Sequence, residues 1–210
     1  MKLRVLSTLA VAAAACAATI GAADARNLAL EDWLDWERAA GPKLSPDGET
    51  IIYTRRHVDK FKDRWSSEVW TLTADGDRHR FLTDGGGVEW SPSGDRIAFL
   101  RGVGEDDNRR TQLFVRHMDA EGAVSQITRD EVEPNSYAWG PKGRVIAFRA
   151  QTPLEPEFKI SLPKRPKGAS WTDDPMVAER LHYRIDRVGL KDGFDHLFIV
   201  PADGGTPRQI

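Results

Sequence analysis

Three copies of one short pattern constrain the fold of this chain more than any other feature. Pro46, Pro92 and Pro141 are each followed two residues later by a glycine, Gly48, Gly94 and Gly143, and the prolines are spaced by 46 and 49 residues. Proline presets φ near −65° at the second position of a turn, and glycine accepts the positive φ that follows it. Leu44, Trp90 and Trp139 stand two residues before the prolines, and "IIYT", "IAFL" and "VIAF" follow the turns. Such β-branched and aromatic runs read as strands. Each copy is therefore a hairpin, with the tryptophan placed to pack on a neighbouring sheet.

A second hairpin completes each repeat. "EVWTLTADGDRHRFLTDG" from Glu68, "QLFVRHMDAEGAVSQITRD" from Gln112 and "HLFIVPADGGTPRQI" from His196 each read as strand, Asp-Gly or Glu-Gly turn, strand. Two hairpins give four strands, the content of one propeller blade, and the period fits a blade as well. The expected fold is all-β, an incomplete β-propeller of about three four-stranded antiparallel blades. They run over about 42–86, 87–135 and 136–210, with a helical lead-in over 26–41. The third repeat is interrupted. From proline to the equivalent aromatic residue takes 24 residues in the first (Trp70), 22 in the second (Phe114) and 57 in the third (Phe198). An insertion over about 151–192 is thus expected, irregular where Pro153, Pro156, Pro163 and Pro166 cluster. A short helix follows in "DDPMVAERLHYR", with Asp174 as cap and Pro175 in the first turn.

Both ends carry signals of their own. "MKLR", the apolar run Val5–Ile20 and the A-x-A site Ala23–Ala25 read as a secretory signal peptide over 1–25, placing the chain in the periplasm or outside the cell. The single cysteine, Cys16, lies inside that run. Lipidation there is the alternative, but Ala13–Ala15 lacks the large aliphatic residue that would open such a site. Cleavage after Ala25 leaves no cysteine, hence no disulfide and no thiolate chemistry. At the other end Ile210 occupies the place of Leu82 and Ile127. Three blades also fall short of the four to eight that close a propeller, so a fragment of a longer protein is expected.

The charge balance, 30 basic against 32 acidic residues, provides no field for nucleic acid or an anionic membrane. Lys159–Gly168 reads as a solvated loop. The chain contains no G-x-S-x-G elbow, no H-E-x-x-H, no phosphate loop and no EF-hand pattern, so neither a catalytic residue nor a cofactor or metal site is assigned. His57, His79, His117, His182 and His196 lack ligand spacing, "GGG" at Gly85–Gly87 reads as a turn, and Glu105–Asn108 as a solvated loop tip. Glu131 and Glu133, two carboxylates in an interblade loop, are the candidates for substrate binding.

The stretches "LSPDGETIIYTRR", "EVWTLTADGDRHRFLTDG", "VEWSPSGDRIAFL", "YAWGPKGRVIAFRA" and "ERLHYRIDRVGLKDGFDHLFIVPADGGTPRQI" resemble the N-terminal propeller of the prolyl oligopeptidase family of serine peptidases. The exported dipeptidyl and acylaminoacyl peptidases are the most similar branch. The resemblance implies a propeller that gates and orients short peptides for a C-terminal α/β-hydrolase domain, where serine, histidine and aspartate form the triad. It also implies that acidic propeller groups hold the peptide amine. None of the triad falls within this chain, which on its own is expected to be inactive and poorly folded. A TolB-like periplasmic propeller that binds proteins without catalysis is the alternative.

Overall fold

Each Pro-x-Gly turn closes an antiparallel pair, and each repeat forms one four-stranded sheet. The computed structural model describes residues 27–105, 108–119, 122–129, 132–154, 163–172, 178, 181, 184–186, 189–190 and 193–210. The first sheet holds β1 (Glu37–Leu44), β2 (Thr50–Asp59), β3 (Arg64–Thr73) and β4 (Arg80–Asp84), hydrogen-bonded in chain order. The second holds β5 (Gly86–Trp90), β6 (Arg96–Val103), β7 (Arg110–His117) and β8 (Val124–Gln126). In the third, β9 (Pro134–Trp139) and β10 (Val145–Pro153) pair onward with β13 (Gly193–Pro201) and β14 (Arg208–Gln209). A small hairpin, β11 (Arg184–Ile185) and β12 (Gly189–Leu190), sits within the insertion. These are three propeller blades, each an antiparallel meander.

Two boundaries differ from the sequence reading. The helical lead-in does not reach residue 41, because β1 already starts at Glu37 and pairs with β2 from Glu37↔His57 to Leu44↔Ile51. Gly41 and Pro42, which look like a break, are absorbed by an irregularity between Ala40 and Lys43, with Gly41 at φ +57°. The insertion begins later than residue 151. Gln151–Pro153 continue β10 and pair with Gly193–Asp195, so Pro153 ends a strand instead of opening a loop. The helix expected around Asp174 and Pro175 falls mostly outside the described residues; Ala178 has no regular structure and Arg184 opens β11.

The chain up to Trp36 forms a unit of its own. In it Leu30–Asp35 is a 3-10 helix, started by Asp32, whose carboxylate accepts the Ala29 N–H at 2.7 Å. Trp33 and Trp36 pack on each other with ring centroids 4.3 Å apart. Among the described residues no helix is long and apolar enough to cross a membrane.

Within the sheets, strand alternation sends successive side chains to opposite faces. From β6, Ile97 and Phe99 face the first sheet, and with Phe114 they form a core with Ile52, Val69, Leu82 and Val88. Ala98, Leu113 and Val115 face the other way and join Ile146, Phe148, Ala150, Phe198 and Val200 of the third sheet. The middle blade is thus apolar on both faces, which is why "IAFL" shows no polar alternation. In both seams a phenylalanine pair stacks, Phe99 on Phe114 at 5.7 Å and Phe148 on Phe198 at 5.3 Å.

The turns themselves stack. Gly48, Gly94 and Gly143 have φ of +79°, +76° and +65°. A Cβ on Gly94 would meet Pro46 Cδ at 3.2 Å, and one on Gly143 would meet Pro92 Cδ at 3.6 Å, so each glycine seats the proline of the preceding repeat. In the first two turns the serine closes the loop. Ser45 Oγ accepts the Thr50 N–H at 2.9 Å, and Ser91 Oγ accepts that of Arg96 at 3.1 Å. The repeated tryptophans stitch the inner strands across the seams. Trp90 Nε1 donates to Lys43 O at 3.1 Å, and Trp139 Nε1 donates to Glu89 O at 3.4 Å, an equivalent residue one blade on. Tyr137 adds a hydroxyl 2.6 Å from both Gly87 O and Ala98 O.

Two outcomes test this account. Phe148→Ala empties a seam and lowers stability by about 3–5 kcal/mol, read from the urea midpoint of the protein expressed from its complete reading frame, whereas Phe61→Ala, fully exposed in the β2–β3 hairpin, changes it by less than about 1 kcal/mol. An equal loss at both positions contradicts the seam assignment. Burial pushes the Tyr137 phenol well above its usual value, with the Glu89 charge adding to the effect. Its contribution is complete below the unfolded phenol pKa of about 10 and fades as pH rises through the folded value. Wild type therefore exceeds Tyr137→Phe by about 1 kcal/mol at neutral pH, and the gap narrows above about pH 10. A gap that stays constant into that range removes the buried-phenol interpretation.

Candidate functional site

Strand direction alternates within a blade, so its connections emerge at two opposite ends. The Pro-x-Gly turns share one end with the Asp-Gly and Glu-Gly turns. The hairpins β2–β3 and β6–β7, the insertion between Pro153 and Gly193, and the crossings between blades share the other.

At the turn end the charged groups serve the turns. Hydrogen bonds from Ser45, Thr73 and Ser93 hold the carboxylates of Asp47, Asp75 and Asp95 below the usual aspartate range. They stay ionised and locally bound, unsuited to moving protons. Arg96 clamps the second blade to the third, with Nη1 2.7 Å from Asp203 Oδ1, Nη2 donating to Gly143 O at 2.9 Å, and the guanidinium over Trp139 at 5.5 Å.

The outer face of the first sheet gathers aromatic and charged groups. Tyr53 and Trp70 take the places that Phe99 and Phe114 hold in the second blade. Tyr53 Oη lies 2.8 Å from His79 Nε2, and the imidazole packs on Trp70 at 4.9 Å. Trp70 Nε1 donates to Glu68 at 2.8 Å, Arg55 pairs with Glu37, and the Arg55 guanidinium covers the Trp70 ring. Burial raises the Tyr53 phenol pKa. The hydroxyl–imidazole pair lies on the face of the first sheet turned away from the second, at positions that form seams in the other two sheets.

The hairpin end carries a cleft between the first and second blades. Asp59, Lys62 and Arg64 of the first blade face Arg101, Gly102, Arg109 and Thr111 of the second across about 680 Å³. Asp84 and Gly85–Gly87 line it from the crossing between blades. Gly85 is required there: a Cβ would lie 2.7 Å from both Leu100 O and Phe99 Cδ2. Nothing in the local sequence marks these basic residues, because they come from different repeats and meet only when the blades pack. The Gly85–Gly87 stretch, expected as a turn, is a packed crossing with Gly85 N–H bonded to Ser67 O at 2.9 Å.

Of the two sequence candidates, Glu133 is exposed, just before β9, and its Oε1 accepts the Thr111 N–H at 2.9 Å. It thus ties the third blade to the second. Glu131 lies outside the described residues, as do His182, Asp106 and Asp107 of the acidic loop tip, and the start of the basic loop; Pro163–Gly168 of that loop are exposed. His57 sits 3.9 Å from Glu68, and His196 Nδ1 lies 3.1 Å from Gln209 Nε2. Among the described residues no group of three or more His, Cys, Asp or Glu is arranged to hold a metal ion.

No protein-family model matches the chain. An uncharacterized peptidase, YuxL of Bacillus subtilis, is 24% identical over 182 residues, 80% of this chain and 25% of that protein. Dipeptidyl-peptidase 5 of Porphyromonas gingivalis is 29% identical over 98 residues, 45% of this chain and 14% of that protein. Among solved structures, the acylaminoacyl peptidase of Pyrococcus horikoshii aligns with a TM-score of 0.61 at 14% identity, covering 83% of this chain and 25% of that one. The chain spans a quarter or less of these curated relatives. It resembles, in sequence and in blade architecture, a propeller part of peptidases of the prolyl oligopeptidase type.

Proposed function

We propose that this chain is the access-controlling propeller of an exported serine exopeptidase of the dipeptidyl or acylaminoacyl kind. The observation that carries this reading is the run of three blades, with an insertion in the third, whose sequence likeness to a peptidase extends over 80% of the chain. In the proposal the signal peptide over 1–25 directs the protein to the periplasm or beyond, and the mature chain starts at Arg26. The blades stand before an α/β-hydrolase domain encoded further along the same reading frame. That domain supplies the serine that attacks the scissile carbonyl, the histidine that moves the proton and the amides that hold the oxyanion. The propeller contributes selection. Packed seams make its wall rigid, so only short or unfolded peptides pass, and its hairpin-end loops orient them.

The test uses the protein expressed from its complete reading frame. A fluorophosphonate probe labels it, short chromogenic peptides are hydrolysed while a folded protein is not, and N-terminal sequencing of the exported product begins at Arg26. The 210-residue chain alone is neither labelled nor active. Serine-dependent turnover by the isolated chain overturns the proposal. Absence of labelling in the full-length protein replaces it with a propeller that binds proteins without cutting them.

A further inference from the structure

The cleft between the first and second blades is lined by more cationic than anionic side chains. Four of its lining residues are cationic, Lys62, Arg64, Arg101 and Arg109, against two carboxylates, Asp59 and Asp84. Asp59 is already engaged, its Oδ1 accepting the N–H of Phe61 at 3.1 Å and of Lys62 at 3.3 Å. Arg101 is half-buried, its guanidinium lying 3.8 Å from the Phe114 ring centroid and 5.9 Å from that of Phe99. The rings hold it at the mouth of the dry seam. Arg109 lies over Gly102, where a Cβ would clash with its Nε, so the glycine leaves room for that side chain. Among the described residues no carboxylate forms an ion pair with Arg64, Arg101 or Arg109. By contrast, Arg55 pairs with Glu37, Arg96 with Asp203 and Arg149 with Asp195.

A guanidinium fixed by aromatic stacking and partly withdrawn from water favours an anion, and its planar fork matches a carboxylate. Gly87, also lining the cleft, has φ +62° and open space where a side chain would stand, so backbone lines that part. We propose that this cleft binds the carboxylate of a peptide, a C-terminus or an acidic side chain, through Arg101 and Arg109 with Arg64 adding charge. The anion preference follows from the cleft alone; the choice of a peptide rests on the peptidase reading.

The experiment uses the protein from the complete reading frame, treated with fluorophosphonate so that peptides are bound and not cut. Fluorescence anisotropy compares a labelled peptide containing glutamate and a free C-terminus with its glutamine, C-amidated counterpart. The acidic peptide binds about tenfold tighter, and the difference shrinks as salt rises from about 0.05 M to about 0.5 M. Arg109→Gln, an exposed position, and Arg101→Gln each reduce the preference, and the double variant abolishes it. Arg101→Lys restores only part, because charge remains but the fork is lost. Equal binding of both peptides by the wild type overturns the proposal, as does a preference left undiminished by Arg109→Gln in a protein with an unchanged urea midpoint. Inorganic phosphate that binds while the peptides are not distinguished overturns the carboxylate assignment. The two readings fail separately: a protein that prefers the acidic peptide but is never labelled keeps the cleft and loses the peptidase, and a labelled protein without the preference does the reverse.

Discussion

The structure depends on burying both faces of a thin sheet. A four-stranded meander with Ile97 and Phe99 on one side and Ala98, Leu113 and Val115 on the other has no interior of its own. It acquires one only between neighbours, so the unit of stability is the seam. At the Pro-x-Gly turns Gly94 and Gly143 each lie against the ring of the previous proline, most tightly at Gly94, so successive blades also touch at that end.

Polar groups then fix the register that apolar packing leaves loose. An indole donor reaching a backbone carbonyl one blade back is directional, unlike the phenylalanine stacks beside it. Trp90 and Trp139 perform this in the same way at successive seams, and Arg96 repeats the logic at the turn end by joining two turns and one ring. In the first blade the equivalent position is Leu44, which has no donor, and the equivalents of the stacked phenylalanines are Tyr53 and Trp70, each with a polar partner. The repeat is therefore not uniform. Its first face is built from side chains that combine an apolar body with a hydrogen-bonding end.

Much of this was legible in the sequence, because turn chemistry and strand composition act locally. The positions of Gly48, Gly94 and Gly143 and the strands after them follow from proline and glycine alone. The boundaries were harder to read for the same reason. Gly41–Pro42 carries the signature of a break, yet a ladder on both sides absorbs it as an irregularity in β1. Pro153 carries the same signature, but it falls at the last rung of β10, opposite Gly193. Tertiary pairing overrides local preference in both cases. The site was the least legible part. Glu133 stood out as a free carboxylate but accepts a backbone N–H from the adjacent blade, whereas Arg64, Arg101 and Arg109 lie in separate strands and loops and form no motif.

The location of the insertion gives the hairpin end its functional weight. A strand pair can be lengthened at either end, and here the long excursion leaves after Pro153 and returns at Gly193, at the end that also holds the cationic cleft and the crossings between blades. At the turn end Asp47, Asp75 and Asp95 are held by serine and threonine hydroxyls, and Arg96 by two turns. Loops are free to vary only where the scaffold does not use them. Among the described residues, Arg64, Arg101 and Arg109, which form no ion pair with a carboxylate, lie at the end from which the insertion leaves.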